Sequence, residues 1–124
     1  MILVDTSVWV RHFRGGDPHL EELLNNGEVM CHPFIVGELA CGNLKNRHEV
    51  LSLLQLLPLA TQAKHEEILQ FIEQNHLMGK GLGYIDVHLS ASAVLTGEAM
   101  WTYDKRLDEA NDWLGIRYNP VTRR

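Results

Sequence analysis

Short, continuous apolar segments alternate along the chain with longer segments whose apolar residues have helical spacing. Residues 1–4 form the first apolar segment, which runs directly into Asp5. An unbroken apolar run of this length is typical of a strand buried on both faces, as in parallel sheets. Further strands are predicted at residues 28–32, 58–60, 99–102 and 116–118.

Helices are predicted between these strands. They span residues 8–14, 20–24, 34–41, 48–57, 61–77, 86–96 and 105–114. Ser7 is expected to cap the first helix and Thr61 the fifth, which is expected to be the longest. Strands that alternate with helices predict an α/β fold, here a three-layer α/β/α domain with a central parallel sheet of four to five short strands. A chain of 124 residues is expected to form a single domain over residues 1–124.

The composition is that of an ordinary soluble protein, with 45% hydrophobic and 22% charged residues. No apolar run is long enough to span a bilayer, and no basic segment precedes residues 1–4, as a signal peptide would require. We therefore expect a cytoplasmic protein without a membrane partner. The net charge of −5 disfavours a general nucleic-acid binder, but it is compatible with an enzyme whose acidic site holds cations.

Cysteine and histidine do not predict a metal site. Cys31 and Cys41 are too few for a disulfide scaffold, and both thiols are expected to be reduced and buried. The seven histidines are scattered along the chain without pairs at metal-binding spacing. We expect them to be solvated or locally hydrogen-bonded.

Four carboxylates are predicted to meet at one edge of the sheet. Asp5 ends the first strand, Asp104 follows the strand at 99–102, and Asp86 begins a helix. Glu38 lies in the first turns of the helix after the second strand. Because the helix after each strand of such a fold begins at the carboxyl edge of the sheet, the topology alone places these acids on the same side.

Each acid also has a purely structural explanation. Asp5, Asp86 and Asp104 are suited to cap helices, which stabilises by about 1 kcal/mol each. Glu38 lies among apolar residues, so it is expected to have a partner, either a metal ion or a lysine or arginine side chain. Two carboxylates about 5 Å apart repel by roughly 3 kcal/mol at an effective dielectric of about 20, so four together require cations.

Carboxylate ligands that leave open positions on the ion are suited to Mg²⁺ or Mn²⁺. One or two such ions activate a water molecule and stabilise the charge that develops on a phosphodiester. Thr6, Ser7 and Thr102 lie beside the acids. Their hydroxyls either support a carboxylate or a metal-bound water, or serve as ordinary cap and turn groups.

Four segments of the sequence carry a resemblance to a known family. They are residues 4–9 (VDTSVW), 32–40 (HPFIVGELA), 79–89 (GKGLGYIDVHL) and 101–107 (WTYDKRL). In this order and with this spacing they resemble the four motifs of the PIN-domain ribonucleases, and closely those of the VapC-type toxins of toxin–antitoxin pairs. The resemblance covers nearly the whole chain.

The resemblance implies an acidic quartet of Asp5, Glu38, Asp86 and Asp104 that depends on Mg²⁺ or Mn²⁺. It also implies endonucleolytic cleavage of RNA, a homodimer, and a cognate antitoxin whose tail blocks the site. Two positions depart from the family pattern, since many relatives have an acid in place of Arg11 and a small residue in place of Asp108. Asp108 is either an additional acid of the site or an exposed helix charge.

Binding of RNA requires positive charge near the acidic site. Lys80 is the best candidate, because it lies on a glycine-rich loop just before Asp86. Arg11 is either a second RNA contact or a solvated helix charge. Trp9, Trp101 and Tyr84 are candidates for base stacking, although the two tryptophans fit the core better. Further basic candidates are Lys45, Arg47, Lys105, Arg106, Arg123 and Arg124.

Two other functions remain open at this point. A different metal-dependent phosphoesterase or a DNA nuclease would use the same four acids on another substrate, although the chain is short for a flap-type DNA nuclease. A non-catalytic PIN-like domain would only bind a partner, which the complete set of acids argues against.

Overall fold

The first strand of the chain lies in the middle of the sheet. In a computed structural model, which describes residues 1–120, β1 (Ile2–Val4) is flanked by β2 (Val29–Met30) and β3 (Ala99–Trp101), and both pairings are parallel. Leu3 and Val4 are completely buried. A central strand that is covered on both faces explains the unbroken apolar run at the start of the sequence.

The sheet is smaller than the four to five strands predicted. Within residues 1–120 it consists of β1, β2 and β3, and the two other predicted strands each make one isolated parallel bridge. Leu59 bridges Cys31, and Arg117 bridges Met100. The first of these segments includes Pro58, which has no N–H to donate and so cannot extend the ladder.

Seven helices occur within the described residues. They are α1 (Thr6–Gly15), α2 (Pro18–Asn25), α3 (Pro33–Ala40), α4 (Arg47–Leu54), α5 (His65–Gln74), α6 (Tyr84–Thr96) and α7 (Lys105–Trp113). Because parallel strands need crossovers, α1 and α2 connect β1 to β2, and α3 to α6 connect β2 to β3. The α/β class is therefore confirmed.

Two predicted helix caps were wrong, and α6 begins at Tyr84, after Gly83 as its cap, rather than at Asp86. The cap of α1 is Asp5, whose side chain accepts a hydrogen bond from the Ser7 N–H, so Ser7 lies inside the helix. Thr61 precedes α5, which begins at His65. The residue before the helix is Lys64, whose N–H donates to the Glu67 carboxylate at 2.9 Å. With 13 residues against 10, α6 is longer than α5.

The main core surrounds the sheet and includes Trp9 and Trp101, which are 3% and 2% exposed. The preference for the core over base stacking at these two positions is confirmed. A smaller cluster, which contains Ile68 and Val87, packs α5 against α6. Within the described residues, no helix is long and apolar enough to cross a membrane.

The two cysteines are both free, but only Cys31 is buried as predicted. Cys41 is exposed because it follows the last residue of α3, where the chain turns away from the core. The last predicted segment, the tail from Pro120 to Arg124 with its two basic candidates Arg123 and Arg124, lies outside the described residues except for Pro120.

Candidate active site

Asp5 is held at the carboxyl end of β1 by several donors on the same oxygen. Its Oδ2 accepts hydrogen bonds from Thr102 Oγ1 at 2.7 Å and from Ser7 Oγ at 2.8 Å, with the Ser7 N–H at 3.4 Å. The residue is only 6% exposed. Charge-assisted hydrogen bonds of this kind are short and directional, so the orientation of the carboxylate is fixed before any ligand binds.

Thr102 joins the ends of β1 and β3. Its hydroxyl donates to Asp5 and also accepts the Asp104 N–H at 3.0 Å. The Ser7 hydroxyl lies 3.2 Å from the Thr102 hydroxyl and accepts the Tyr103 N–H at 3.0 Å. The predicted supporting residues Ser7 and Thr102 thus form one hydrogen-bonded network around the first carboxylate.

Asp104 is the N-cap of α7, and its Oδ1 accepts the Leu107 N–H at 3.0 Å. The side chain lies on the exposed side of the edge, one residue after Tyr103. The structural explanation for this residue, a helix cap, is therefore correct. Capping uses one carboxylate oxygen, so it is compatible with a second role for the other.

Asp86 lies in the first turn of α6 and is half-buried. Its Oδ2 accepts the Gly83 N–H at 3.1 Å. Burial raises the pKa of this carboxyl above its ordinary value of 3.8, the Gly83 N–H opposes the change, and the charges of Asp5 and Asp104 raise the pKa further. Asp5 and Asp104 are therefore both near enough for their charges to act on Asp86.

Glu38 is connected to the same edge through Thr6. The Thr6 hydroxyl donates to Glu38 Oε1 at 2.8 Å, and α1 packs against α3. The expectation that Glu38 is surrounded by apolar side chains was wrong, because Ile35 and Leu39 point into the core and Glu38 is exposed. Its neighbours in sequence lie on a different face of the helix.

Within the described residues, no group of three or more histidine, cysteine, aspartate or glutamate side chains is close enough to hold a metal ion as the side chains stand. Each of the four carboxylates is instead hydrogen-bonded to a hydroxyl or a backbone N–H in its own neighbourhood. The donor set consists of oxygen atoms, which is the chemistry of a hard cation such as Mg²⁺ or Mn²⁺.

A cluster beside the acids was missed from the sequence. Tyr103 OH donates to Asp17 Oδ2 at 2.6 Å, and the Arg11 guanidinium lies 4.7 Å from the centre of the Tyr103 ring. Burial and the hydrogen bond to Asp17 raise the pKa of Tyr103 to about 12, so the phenol keeps its proton. Asp17 is also the cap of α2, and Pro18 occupies the first helical position. This Asp-Pro pair was the feature of the sequence that could have located the start of α2.

The Asp17 carboxylate is correspondingly kept ionised. Its burial would raise the pKa, but hydrogen bonds from Tyr103, Leu20 and His19, together with the charge of Arg11, lower it overall. Arg11, predicted as either an RNA contact or a solvated charge, thus stacks on the ring of the residue before Asp104.

Asp108 makes an ion pair with Arg117 at 2.9 Å. Asp108 therefore pairs with a residue of the segment that follows α7. Neither of the two roles predicted from the sequence, an additional site acid and an exposed helix charge, included this partner. The expectation of a local hydrogen bond holds for one of the buried histidines, since His32 Nδ1 accepts the Phe34 N–H at 3.0 Å. His32 and His88 are buried, and burial, followed by the effect of the other histidine, lowers the pKa of His32 to about 4.

Lys80, the predicted RNA contact, lies beside α7. Its Nζ is 5.7 Å from the centre of the Trp113 ring. Lys80, Arg106 and Trp113 line a cleft of about 420 Å³ together with Glu109, Ala110 and Asp112. The sequence did not connect Lys80 with Arg106 and Trp113 of α7, because the loop at 79–83 reaches these residues only in the folded chain.

Comparison with known proteins agrees with this geometry. The PIN domain family matches residues 2–112. Ribonuclease VapC32 from two strains of Mycobacterium tuberculosis is 47% identical over 111 residues, which cover 89% of this chain and 90% of the relative. The crystal structure of PAE2754 from Pyrobaculum aerophilum has the same fold, with a TM-score of 0.63 and 14% identity over 88% of this chain and 83% of that one. The resemblance inferred from the four motifs is confirmed, and the chain belongs to the PIN domain family as a relative of the VapC ribonucleases.

Proposed function

We propose that this protein is a metal-dependent endoribonuclease of the VapC type, which hydrolyses RNA phosphodiester bonds and acts as the toxin of a toxin–antitoxin pair. The observation that carries the proposal is the hydrogen bonding of Thr102 to both the Asp5 carboxylate and the Asp104 N–H at the carboxyl edge of the sheet. Both acids are near enough to Asp86 for their charges to add to the effect of burial in raising its pKa. We further propose that residues 1–124 form a single nuclease domain with three α/β/α layers.

Asp5, Glu38, Asp86 and Asp104 are the residues that would hold the ion, which we propose to be Mg²⁺ or Mn²⁺. When bound, such an ion activates a water molecule and stabilises the negative charge that develops on the phosphate. The hydrogen bonds of the carboxylates to local donors support this assignment, because they keep four acids at one edge despite their repulsion.

The remaining residues of the edge position the carboxylates. The hydroxyls of Ser7 and Thr102 fix the plane of the Asp5 carboxylate, and the Thr6 hydroxyl orients Glu38. Side chains of this kind, which hydrogen-bond to metal ligands, tune both affinity and activity. The short strands give the edge its rigidity, because Asp5 and Thr102 directly follow hydrogen-bonded β residues.

The partners of the proposed enzyme are RNA and a cognate antitoxin protein whose tail would block the acidic edge. We propose that Lys80 and Arg11 contribute positive charge to RNA binding, since both lie beside elements that carry a site acid. A homodimer is part of the same proposal, and the expected compartment is the cytoplasm.

The experiment that tests the proposal compares the purified protein with its Asp86→Asn variant. Each is incubated with RNA, single-stranded DNA and a phosphomonoester, with Mg²⁺, with Mn²⁺ and with a chelator. The unmodified protein is expected to cleave RNA only when metal is present, and the variant is expected to be inactive. Glu22→Gln, an exposed acid of α2, is the matched control and retains activity.

Three outcomes would overturn the proposal. Cleavage of RNA by Asp86→Asn at the rate of the unmodified protein, or undiminished cleavage in chelator, would remove the metal mechanism. Preference for DNA or for the phosphomonoester would instead support another metal-dependent phosphoesterase. Absence of both cleavage and Mn²⁺ binding by calorimetry would favour a non-catalytic PIN-like domain.

A further inference from the structure

One cleft is lined by Lys80, Arg106 and Trp113 and contains none of the four proposed site acids. We call it the Trp113 cleft. It has a volume of about 420 Å³ and is completed by Glu109, Ala110 and Asp112. Its two walls come from the glycine-rich loop and from α7. The cleft runs along α7 from Arg106, two residues after Asp104, to Trp113 at the other end of the helix. At 1.5 Å per residue, Trp113 lies about 14 Å along the helix from Asp104.

The indole of Trp113 is exposed and held in place. Its side chain is 64% exposed, whereas Trp9 and Trp101 are nearly completely buried. The ring nitrogen donates to the Asn75 carbonyl at 3.0 Å, which fixes the plane of the ring. A fixed and exposed indole beside two cations offers a flat stacking surface that does not have to be ordered when a ligand binds.

The cationic side of the cleft is also preformed. Gly81 has a φ of +76°, and a Cβ at this position would collide with the Arg106 side chain, whose Cδ would lie only 2.9 Å away. Glycine therefore allows the loop to pass directly over Arg106. Lys80 extends across the Trp113 ring on the same side, with its ammonium 5.7 Å from the ring centre.

The charges in the cleft indicate which part of a nucleotide it accepts. Lys80 and Arg106 are opposed by Glu109 and Asp112, so the four formal charges cancel. A cleft that bound chiefly phosphate would have an excess of positive charge. Aromatic stacking together with nearby cations is instead the combination that single-stranded RNA uses for its bases, and the two acids can accept hydrogen bonds from base amino groups.

We infer that the Trp113 cleft is a nucleobase-stacking subsite, which binds a base of single-stranded RNA at a distance along the strand from the phosphate that is cleaved. Trp113 provides the stacking surface, and Lys80 and Arg106 contact the adjoining phosphate. The inference rests on the proposed ribonuclease function and identifies residues of the substrate path outside the acidic edge. It assigns them a role in binding RNA and none in the chemical step.

The position of the tryptophans makes a direct measurement possible. The fluorescence of Trp113 is accessible to solvent, whereas that of Trp9 and Trp101 is shielded. A short single-stranded oligoribonucleotide is titrated into the Asp86→Asn protein with Mg²⁺, so that the RNA is bound without being cut. Stacking is expected to quench the fraction of emission that acrylamide can reach, and Trp113→Phe in the same background is expected to lack this signal.

Variants then measure how much the cleft contributes. Trp113→Ala is expected to raise the Kd for the oligoribonucleotide by about 5- to 150-fold, the range that loss of one stacked base corresponds to, and Trp113→Phe by less. Lys80→Gln is expected to weaken binding and to reduce its salt dependence. Controls are Arg14→Gln, an exposed cation of α1, and Leu56→Ala, an exposed apolar residue outside the cleft, and neither is expected to change binding.

Cleavage kinetics separate this inference from the proposed function. In the otherwise unmodified protein, Trp113→Ala is expected to raise KM and leave kcat nearly unchanged, and Trp113→Phe is expected to restore most of the affinity. If the unmodified protein cleaves RNA but Trp113→Ala and Lys80→Gln bind it normally, the subsite is refuted and the ribonuclease stands. If these variants weaken only the binding of a protein partner, the cleft is a protein-binding surface and the inference is equally refuted.

Discussion

The charge of Asp5 acts on Asp86, yet the protein holds the two carboxylates in different ways. Asp5 is buried, and one of its oxygens accepts two side-chain hydroxyls and a backbone N–H. Asp86 is half-buried, its Oδ2 accepts the Gly83 N–H, and burial and neighbouring acids raise its pKa. The first carboxylate is thus fixed by side-chain hydrogen bonds, whereas burial and neighbouring charges disfavour ionisation of the second.

The difference is the one that the proposed cation site would need before its ligand binds. One carboxylate is fixed in direction by hydrogen bonds from Ser7 in α1 and from Thr102 at the end of β3, so it would define where an ion lies. The opposing carboxylate bears the repulsion, which a bound cation would relieve. Substitutions at the two positions should therefore have the same effect on activity and opposite effects on stability.

The largest expected effect is that of Asp5→Asn. It removes a proposed metal ligand and weakens the bonds from Ser7 and Thr102, so RNA cleavage should fall by about 10³-fold or more. The free energy of unfolding should fall by about 1–3 kcal/mol in chelator, because a hydrogen-bonded buried anion is lost. Urea denaturation followed by circular dichroism measures the stability, and Glu22→Gln is the control.

The contrast between Asp5 and Asp86 would be refuted if Asp86→Asn lowered both RNA cleavage and the free energy of unfolding as Asp5→Asn does. That variant is also expected to lose activity, but in chelator its free energy of unfolding should be equal to or above that of the unmodified protein. An amide at position 86 still accepts the Gly83 N–H and carries no charge to be repelled by Asp5 and Asp104.

The next largest effect is expected at Thr102. Thr102→Val preserves the shape of the side chain but removes the hydroxyl that donates to Asp5 and accepts the Asp104 N–H. Activity or metal affinity should fall by about 10- to 100-fold, as for other groups that orient metal ligands. Calorimetry with Mn²⁺ and RNA cleavage measure the two effects, and Thr102→Ser, which keeps the hydroxyl, should retain most of both.

A smaller effect is expected where the hydrogen bond is exposed. Thr6→Val removes the donor to Glu38, and because solvent can replace the lost bond, activity should fall by about 2- to 10-fold. Steady-state cleavage assays measure the change, with Thr6→Ser as the matched control. A loss as large as that of Thr102→Val would contradict the distinction between fixed and loosely held carboxylates.

The smallest effect concerns the pH dependence of stability. The pKa of Asp86 is raised in the folded state, so the folded protein binds this proton more tightly than the unfolded chain does. The contribution of Asp86 to stability is then greatest below the ordinary pKa of 3.8 and is lost as pH rises through the raised pKa. Measured against Asp86→Asn in chelator, the unmodified protein should lose stability across this acidic window and show a constant difference above it.

Adding Mg²⁺ is the check on this last prediction. If ionised Asp86 is the group that repels its neighbours, the ion should reduce or reverse the difference at neutral pH. A difference that does not change with pH would mean that the repulsion is fully screened by solvent.

The sequence predicted those parts of the fold that depend on local pattern. Residues 1–4 are apolar because β1 is central, and Asp5 and Asp104 follow strands whose ends share an edge, so the grouping of acids was accessible from topology. The sheet was overestimated because an apolar triplet such as 58–60 has the composition of a strand, whereas whether it pairs depends on tertiary contacts and on Pro58.

The parts of the site that were missed depend on contacts between distant residues. Glu38 has apolar neighbours in sequence, but its helix turns it outward to Thr6, and no periodicity in eight residues determines that direction. The Tyr103–Asp17 bond and the approach of Lys80 to Trp113 join residues from different elements. Such pairs are not encoded in spacing along the chain.

The position of β1 in the middle of the sheet also has a consequence for synthesis of the chain. Ile2 pairs with Ala99, and one of the two hydroxyls that orient Asp5 comes from a residue 97 positions later. Pairings of such large sequence separation slow folding, because a long loop must close before they form. A chain synthesised only as far as residue 98 lacks β3, Thr102 and Asp104, so the proposed site cannot form before these residues have been made.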